Sequence, residues 1–217
     1  DGYRVGFGFD QQIGTNITSA TFNGSGQLTV FNASQGAFDL GTGTHADFGT
    51  DGILAWGRWV GTVTANSSPQ TYSGNQGVHY VIGLPTAVMP TSGTATYTLL
   101  GATSPTYVDG AVSPGTFSGV LAVDFGGALR TPAVDMTLGV GIGGRTYAVV
   151  GTAFISSGVF SGNPTVTDVS GACGSGCTAS VQGFFAGPSA ERAGLGYHIN
   201  DSIIKKDIVG AAAFAKQ

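Results

Sequence analysis

From residue 94 onward the side chains change character at every second position, and this constrains the fold more than any motif. In residues 94–100, Ala95, Tyr97 and Leu99 are apolar while Thr94, Thr96 and Thr98 carry hydroxyls, the pattern of a strand with one dry face and one wet face. The register recurs in residues 116–125, where Phe117, Gly119, Leu121, Val123 and Phe125 oppose Ser118 and Asp124, and again in 134–142. Gly143-Gly144 then offers a two-residue hairpin turn into 145–151. Further strands are predicted over 78–84, 157–162, 178–186, 192–200 and 207–215. Short strands at regular spacing, with no helical period between them, predict an all-β fold. The expectation is an antiparallel eight- or nine-stranded up-and-down barrel, since closure removes the bare edges of a sheet with so little charge. Bulky residues alternating with glycine would fill its interior and leave no channel.

Composition agrees and removes some functions. Charged residues are 9% of the chain against 38 glycines, too few Glu and Lys to clothe helices. Eight Lys and Arg stand singly apart from Lys205-Lys206, with a formal net charge of -4. No basic stripe follows a phosphate backbone, so no nucleic-acid partner is expected. The apolar run at 209–215 is far short of the roughly 20 residues a membrane-spanning helix needs. The opening "DGYRVGFGFD" has neither an initiator methionine nor a charged leader and reads as a piece of a longer exported precursor.

The first seventy-odd residues differ. "GYRVGFGFD", "ATFNGSGQLTVFN" and "DGILAWGRWVGTV" suggest strands, but "SQGAFDLGTGTHADFGTDG" reads as a long glycine-rich connection. The Ser, Pro, Asn and Gly of "TANSSPQTYSGNQG" mark a boundary near Ser73. Residues 1–73 are expected to form a small antiparallel sheet packed against a barrel of 74–217.

Cys173 and Cys177 flank Gly-Ser-Gly. So short a flexible loop permits a disulfide, which implies an oxidising compartment; free thiols are the alternative, and the second pair of a structural zinc site is missing. The disulfide would mainly pin a loop.

Candidate chemical groups are sparse. His45, His79 and His198 are dispersed, without metal-ligand spacing. His45, in what reads as an exposed loop, is the best haem candidate. "GVGIGGR" matches a dinucleotide fingerprint but is flanked by strands on both sides, and "SIIK" lacks the companion motifs of an acyl-enzyme. Trp56 and Trp59, three apart on one strand, face opposite sides; an exposed indole beside Arg58 would suit a protein or sugar contact, and core packing is the plainer role. Glu191 is the only glutamate, so no second glutamate exists to pair with it as a catalytic acid. In "VQGFFAGPSAERAGLGYHI", Gly183 and Gly187 permit tight backbone, Pro188 stops a ladder, and Phe184 and Phe185 point to opposite faces. The stretch reads as a joint between strands.

That stretch resembles the Gly-Phe-Phe-Gly-Pro-x-Ala-x-Glu signature of the C-terminal barrel in transferrin-binding protein B and related Gram-negative surface lipoproteins. Gly183, Phe184, Phe185, Gly187, Pro188 and Glu191 carry the match, Ala186 is one residue more than the signature has, and Arg192-Ala193-Gly194 replaces the usual Val-Gly-Gly. "DGILAWGRWVG", "HYVIGLPT", "MPTSGTATYTLLGATSPT" and "GTFSGVLAVDFG" resemble the barrel at the C-terminus of some proteobacterial FecR-domain proteins. The resemblance implies a non-enzymatic bacterial cell-surface or secreted module that binds a protein or haem-like ligand through its loops, in iron acquisition, or an accessory domain of a FecR-type signalling protein. Composition leaves open a structural subunit of an extracellular filament or matrix, self-associating by strand addition through the front segment. An integral outer-membrane barrel is opposed by the outward threonines.

Overall fold

A computed structural model describes residues 4–9, 12–13, 17–33, 36–128, 131–168, 173 and 176–217. Its ordered elements are strands, in two antiparallel sheets. No helix among the described residues is long and apolar enough to cross a membrane.

The front unit holds β1 (Arg4–Phe9), β2 (Gln12–Ile13), β3 (Ile17–Phe22), β4 (Leu28–Ala33), β5 (Gly36–Asp39), β6 (Thr44–Thr50), β7 (Leu54–Ala65), β8 (Ser68–Tyr72) and β9 (Val78–Gly83). Its backbone order is β2-β1-β9-β7-β5-β4-β3, with β6 and β8 also on β7. β7 serves twice. Residues 54–59 pair with β9, residues 55–60 pair with β6, and beyond Gly61 the strand pairs with β8 and β5. Gly61 has φ +84, a conformation that side chains resist. The strand therefore turns one sheet over another and encloses a core of its own, in which Trp59, Tyr80, Phe31, Phe38, Leu28 and Val63 are buried.

Two sequence expectations change here. The glycine-rich 34–52 connection contains β5 and β6, whose pattern is hard to see because buried Phe38 and the half-buried positions of β6 alternate with exposed polar residues too sparsely to stand out. The strand at 78–83, counted with the barrel, pairs with β1 and β7 of the front unit. Every one of its residues is buried, since one face meets the front core and the other the barrel.

The barrel comprises β10 (Thr94–Ala102), β12 (Thr116–Asp124), β13 (Ala133–Ile142), β14 (Arg145–Ser156), β15 (Val159–Gly162), β16 (Thr165–Asp168), β17 (Cys177–Ala186), β18 (Arg192–Asp201) and β19 (Lys206–Lys216), with the two-residue β11 (Thr106–Tyr107) beside β19. β15 and β16 both lie between β14 and β17 and act as one strand broken at Asn163-Pro164. The wall thus has eight strand positions, and β10 pairing with β19 closes it.

Alternation decides the filling. Tyr97, Leu121, Val123, Met136, Leu138, Tyr147, Phe160, Val181, Phe185, Leu195, Tyr197 and Phe214 point inward and are buried. Aromatic rings take the space that inward glycines leave: a Cβ on Gly183 would lie 2.1 Å from the Phe160 ring. This side-chain-filled interior is a packed core. The outward face is divided. Over β10, β12 and β13 it carries exposed Thr94, Thr96, Thr98 and Thr137, whereas over β17–β19 Phe184, Ala186, Ala211 and Ala213 are buried beneath Leu54 and Val81 of the front unit.

Candidate functional site

The joint between front unit and barrel gathers most of the residues singled out in the sequence. Phe185 enters the barrel core, its ring centroid 5.4 Å from Phe160 and 5.7 Å from Tyr97. Phe184, one residue away, lies outside the wall under Leu54 and Val81. Gly187 follows with φ +85, and a Cβ there would meet the Glu191 carboxylate at 2.4 Å. Glu191 accepts the Ser189 N–H at 2.8 Å, and this bond holds its carboxyl below the ordinary glutamate range. Its main-chain carbonyl accepts the Lys216 N–H, while the Tyr97 hydroxyl donates to the Ala190 carbonyl. Glu191 is a turn cap, and the Gly187–Glu191 segment is a sequence of tight turns.

Trp56, Arg58 and Trp59 all serve the joint or the front core instead of presenting a free partner surface. The Trp56 indole, half-buried, lies so close over the backbone that a Cβ on Gly49 or Gly101 would be 2.3 Å from it. Trp59 is fully buried and donates its indole N–H to the Leu28 carbonyl at 3.1 Å. Arg58, 5% exposed, donates to Asp47 Oδ2 at 2.7 Å and to the carbonyls of Gly74 and Gln76. Asp47 in turn accepts the Ser104 N–H at 3.0 Å, so the buried cation ties β6 and β7 to the connection after β10.

The three histidines have three environments. His45 sits on β6, not in a loop; its Nε2 is 3.0 Å from the Leu28 carbonyl and its ring packs edge-on to Trp59 and Tyr80. Partial burial lowers its pKa against that hydrogen bond. His198 Nε2 meets Asp207 Oδ1 at 2.8 Å, an oxygen shared with Asn200. His79 is fully buried on β9, with each ring nitrogen 2.8 Å from a threonine hydroxyl, Thr103 or Thr106. Nothing in the sequence marked these threonines, one in the connection after β10 and the other opening the two-residue β11; the apolar character of both faces of "HYVIG" is the signal that this histidine is enclosed.

Cys173 and Cys177 form a disulfide. Beside it the buried Asp201 accepts from the Tyr147 hydroxyl at 2.9 Å and from the Ile203 and Ile204 N–H groups. With both sulfurs bonded, this cluster of possible metal ligands has no thiolate to offer. "GVGIGGR" is the β13–β14 hairpin, with Gly143 and Gly144 both at positive φ, and "SIIK" is the turn before β19.

One concave feature was not foreseen. A cleft of about 700 Å³ opens at the joint between Phe22, Ile53, Leu54 and Ile82 of the front unit, the Leu84–Ala87 connection, and Gly187-Pro188 of the barrel. Leu84 in its lining and Val88, one residue past the lining residue Ala87, are 54% and 76% exposed. Among the described residues its lining includes no charged residue, histidine, cysteine, methionine or tyrosine. The clue available in advance was "GLPTAVMP", an apolar stretch in which two prolines end the strand; in the structure the bridge from Pro85 to Ala186 and the Thr86 N–H bond to the Phe185 carbonyl tie it to the barrel wall.

No family model matches the chain, and no curated protein does. Solved structures do. An intact Ap-TbpB with its N and C lobes is 12% identical, with a TM-score of 0.52, covering 100% of this chain and 46% of that one. A variant of Transferrin Binding Protein B (TbpB) from Haemophilus parasuis Hp5 gives 12% identity and a TM-score of 0.48 over 99% of this chain and 45% of its own. The chain therefore spans less than half the length of these proteins, and its front sheet with eight-stranded barrel has the fold of a TbpB-like lobe.

Proposed function

We propose that this chain is a non-enzymatic binding lobe of a bacterial surface or secreted protein, and that it takes a protein partner at the cleft beside Leu84. The observation that carries this reading is the composition of that cleft. Uncharged apolar walls, open to solvent and flanked by two exposed aliphatic side chains, suit apolar side chains of a protein loop. A haem there would find no axial ligand among the lining residues, which favours the protein over the haem-like ligand. The fold shared with intact Ap-TbpB supports the reading. A role in iron acquisition and an exported location with an oxidised disulfide belong to the same proposal.

The test is capture of partners from host serum by the purified chain, compared with Leu84→Asp and Val88→Asp. Both side chains are exposed, so each variant should keep the melting temperature and lose at least tenfold in affinity for what the parent retains. Equal capture by parent and variants would place the partner elsewhere. A chain that retains nothing and instead assembles with rising concentration on a sizing column would favour the filament subunit.

A further inference from the structure

We propose that His79 is an acid-sensitive clasp: a proton added to its ring loosens the front unit from the barrel. Both ring nitrogens are already used. One assignment of protons satisfies every group: Nδ1–H donates to Thr103 Oγ1, which accepts the Ala211 N–H at 3.0 Å and donates to the Ala211 carbonyl at 3.2 Å, while the Thr106 hydroxyl donates to Nε2. This arrangement takes a neutral ring. It links β9 of the front unit to β11, β19 and the connection after β10.

A second proton would bring a charge that the surroundings cannot answer. Arg58 stands directly opposite on β7 in the strand register, and its own charge is met by Asp47. The other elements around His79 offer main chain and hydroxyls: Gly8 of β1 by register, Thr103 and Ser104 after β10, Thr106 of β11 and Ala211 of β19. Among the described residues no carboxylate is left over, because both Asp47 oxygens also accept from Ser104. Burial, with Arg58 adding to it, holds the ring's pKa well below 6.5.

The sign follows from linkage. In the opened, hydrated state the ring titrates near 6.5; in the clasped state it does so far lower. Below pH 6.5 the open state binds more protons, and the open-to-clasped ratio rises up to tenfold per pH unit; above it nothing changes. The Asp51–Arg192 pair at the same joint is not lost in that range, since the Asp51 carboxyl stays below its ordinary 3.8. The clasp does not depend on what fills the cleft.

Trp56, wedged in this layer, reports opening. In Trp59→Phe protein titrated from pH 8 to 4.5, Trp56 emission should shift to the red below pH 6.5. Adding His79→Gln should remove the shift, and adding His45→Gln or His198→Gln should leave it. A shift unchanged by His79→Gln, or no shift in the His79-containing protein, overturns the proposal. Should His79→Gln fail to fold at pH 8 by circular dichroism, proton NMR of the unmodified chain decides. A His79 C2–H resonance that stays fixed until main-chain amides of β9 and β19 move supports the clasp; one titrating alone near 6.5 refutes it.

Discussion

Arg192, the first residue of β18, donates its Nε–H to the carboxylate of Asp51, in the turn before β7 and 141 residues earlier in the chain. The other Asp51 oxygen accepts the N–H groups of Ile53 and Leu54 at 3.0 and 2.9 Å. Burial works to raise this carboxyl's pKa, and the bonds from Leu54, Arg192 and Ile53 outweigh it, leaving it lowered. Asp51 thus shapes a turn and holds the barrel at once. Asp51→Ala should cost about 1–2 kcal/mol, and Arg192→Gln less than about 1 kcal/mol, as partly exposed ion pairs do. The Asp51 contribution is present above pH 3.8 and fades as pH falls through its lower folded value. Urea unfolding of both variants at pH 7 checks the order; equal losses would mean the ion pair is the whole effect.

Gly101 lies against the Trp56 indole, where an added Cβ would be 2.3 Å from the ring. Gly101→Ala should destabilise by about 1–3 kcal/mol through overpacking. In a Trp56→Ala background the same change should cost almost nothing, a coupling that a double-mutant cycle measures. Independent effects would show that the indole has room to move.

Asp201 is fully buried and meets Tyr147, Arg145, Ile203 and Ile204. Asp201→Ala takes the acceptor from a buried hydroxyl and two amides, and should cost about 2–4 kcal/mol. Tyr147→Phe removes one of the four partners and should cost roughly 1 kcal/mol. Thermal unfolding of the two variants separates them.

The Cys173–Cys177 loop is short, with a sequence separation of 4. Constraint of the unfolded chain predicts a loss of about 2 kcal/mol on reduction. Cys173→Ser with Cys177→Ser should show that loss by urea titration and keep the barrel's far-ultraviolet spectrum. A collapse of the fold would mean the bridge does more than pin a loop.

The barrel was legible because each strand states its inside and outside in its own residues, as Tyr97 between Thr96 and Thr98 does. The opposite facing of Phe184 and Phe185 follows from the same rule. Less legible was anything buried on both faces. Residues 78–83 alternate nothing visible, so their strand was recognised and its sheet was not. Whether Trp56 or Trp59 is the packed indole, and what Arg58 meets, is not legible locally, because a sequence shows no neighbour that arrives from another sheet. His45 reads as loop because the glycines around it hide β6. The cleft has no motif at all, being made of residues from four separate places in the chain.

The two kinds of outer barrel surface have a consequence for how the sequence can drift. On β10, β12 and β13, Thr96 or Thr137 can be exchanged for many polar residues with little effect, because water accepts any of them. On β18 and β19, Gly194, Ala211 and Ala213 sit where the front unit allows no more than a methyl or a hydrogen; a Cβ on Gly194 would already touch Phe184 and Val81 at 2.9 Å. Circling the wall, permissiveness should come as two arcs, one broad and one narrow, whose borders trace the shadow of the front sheet.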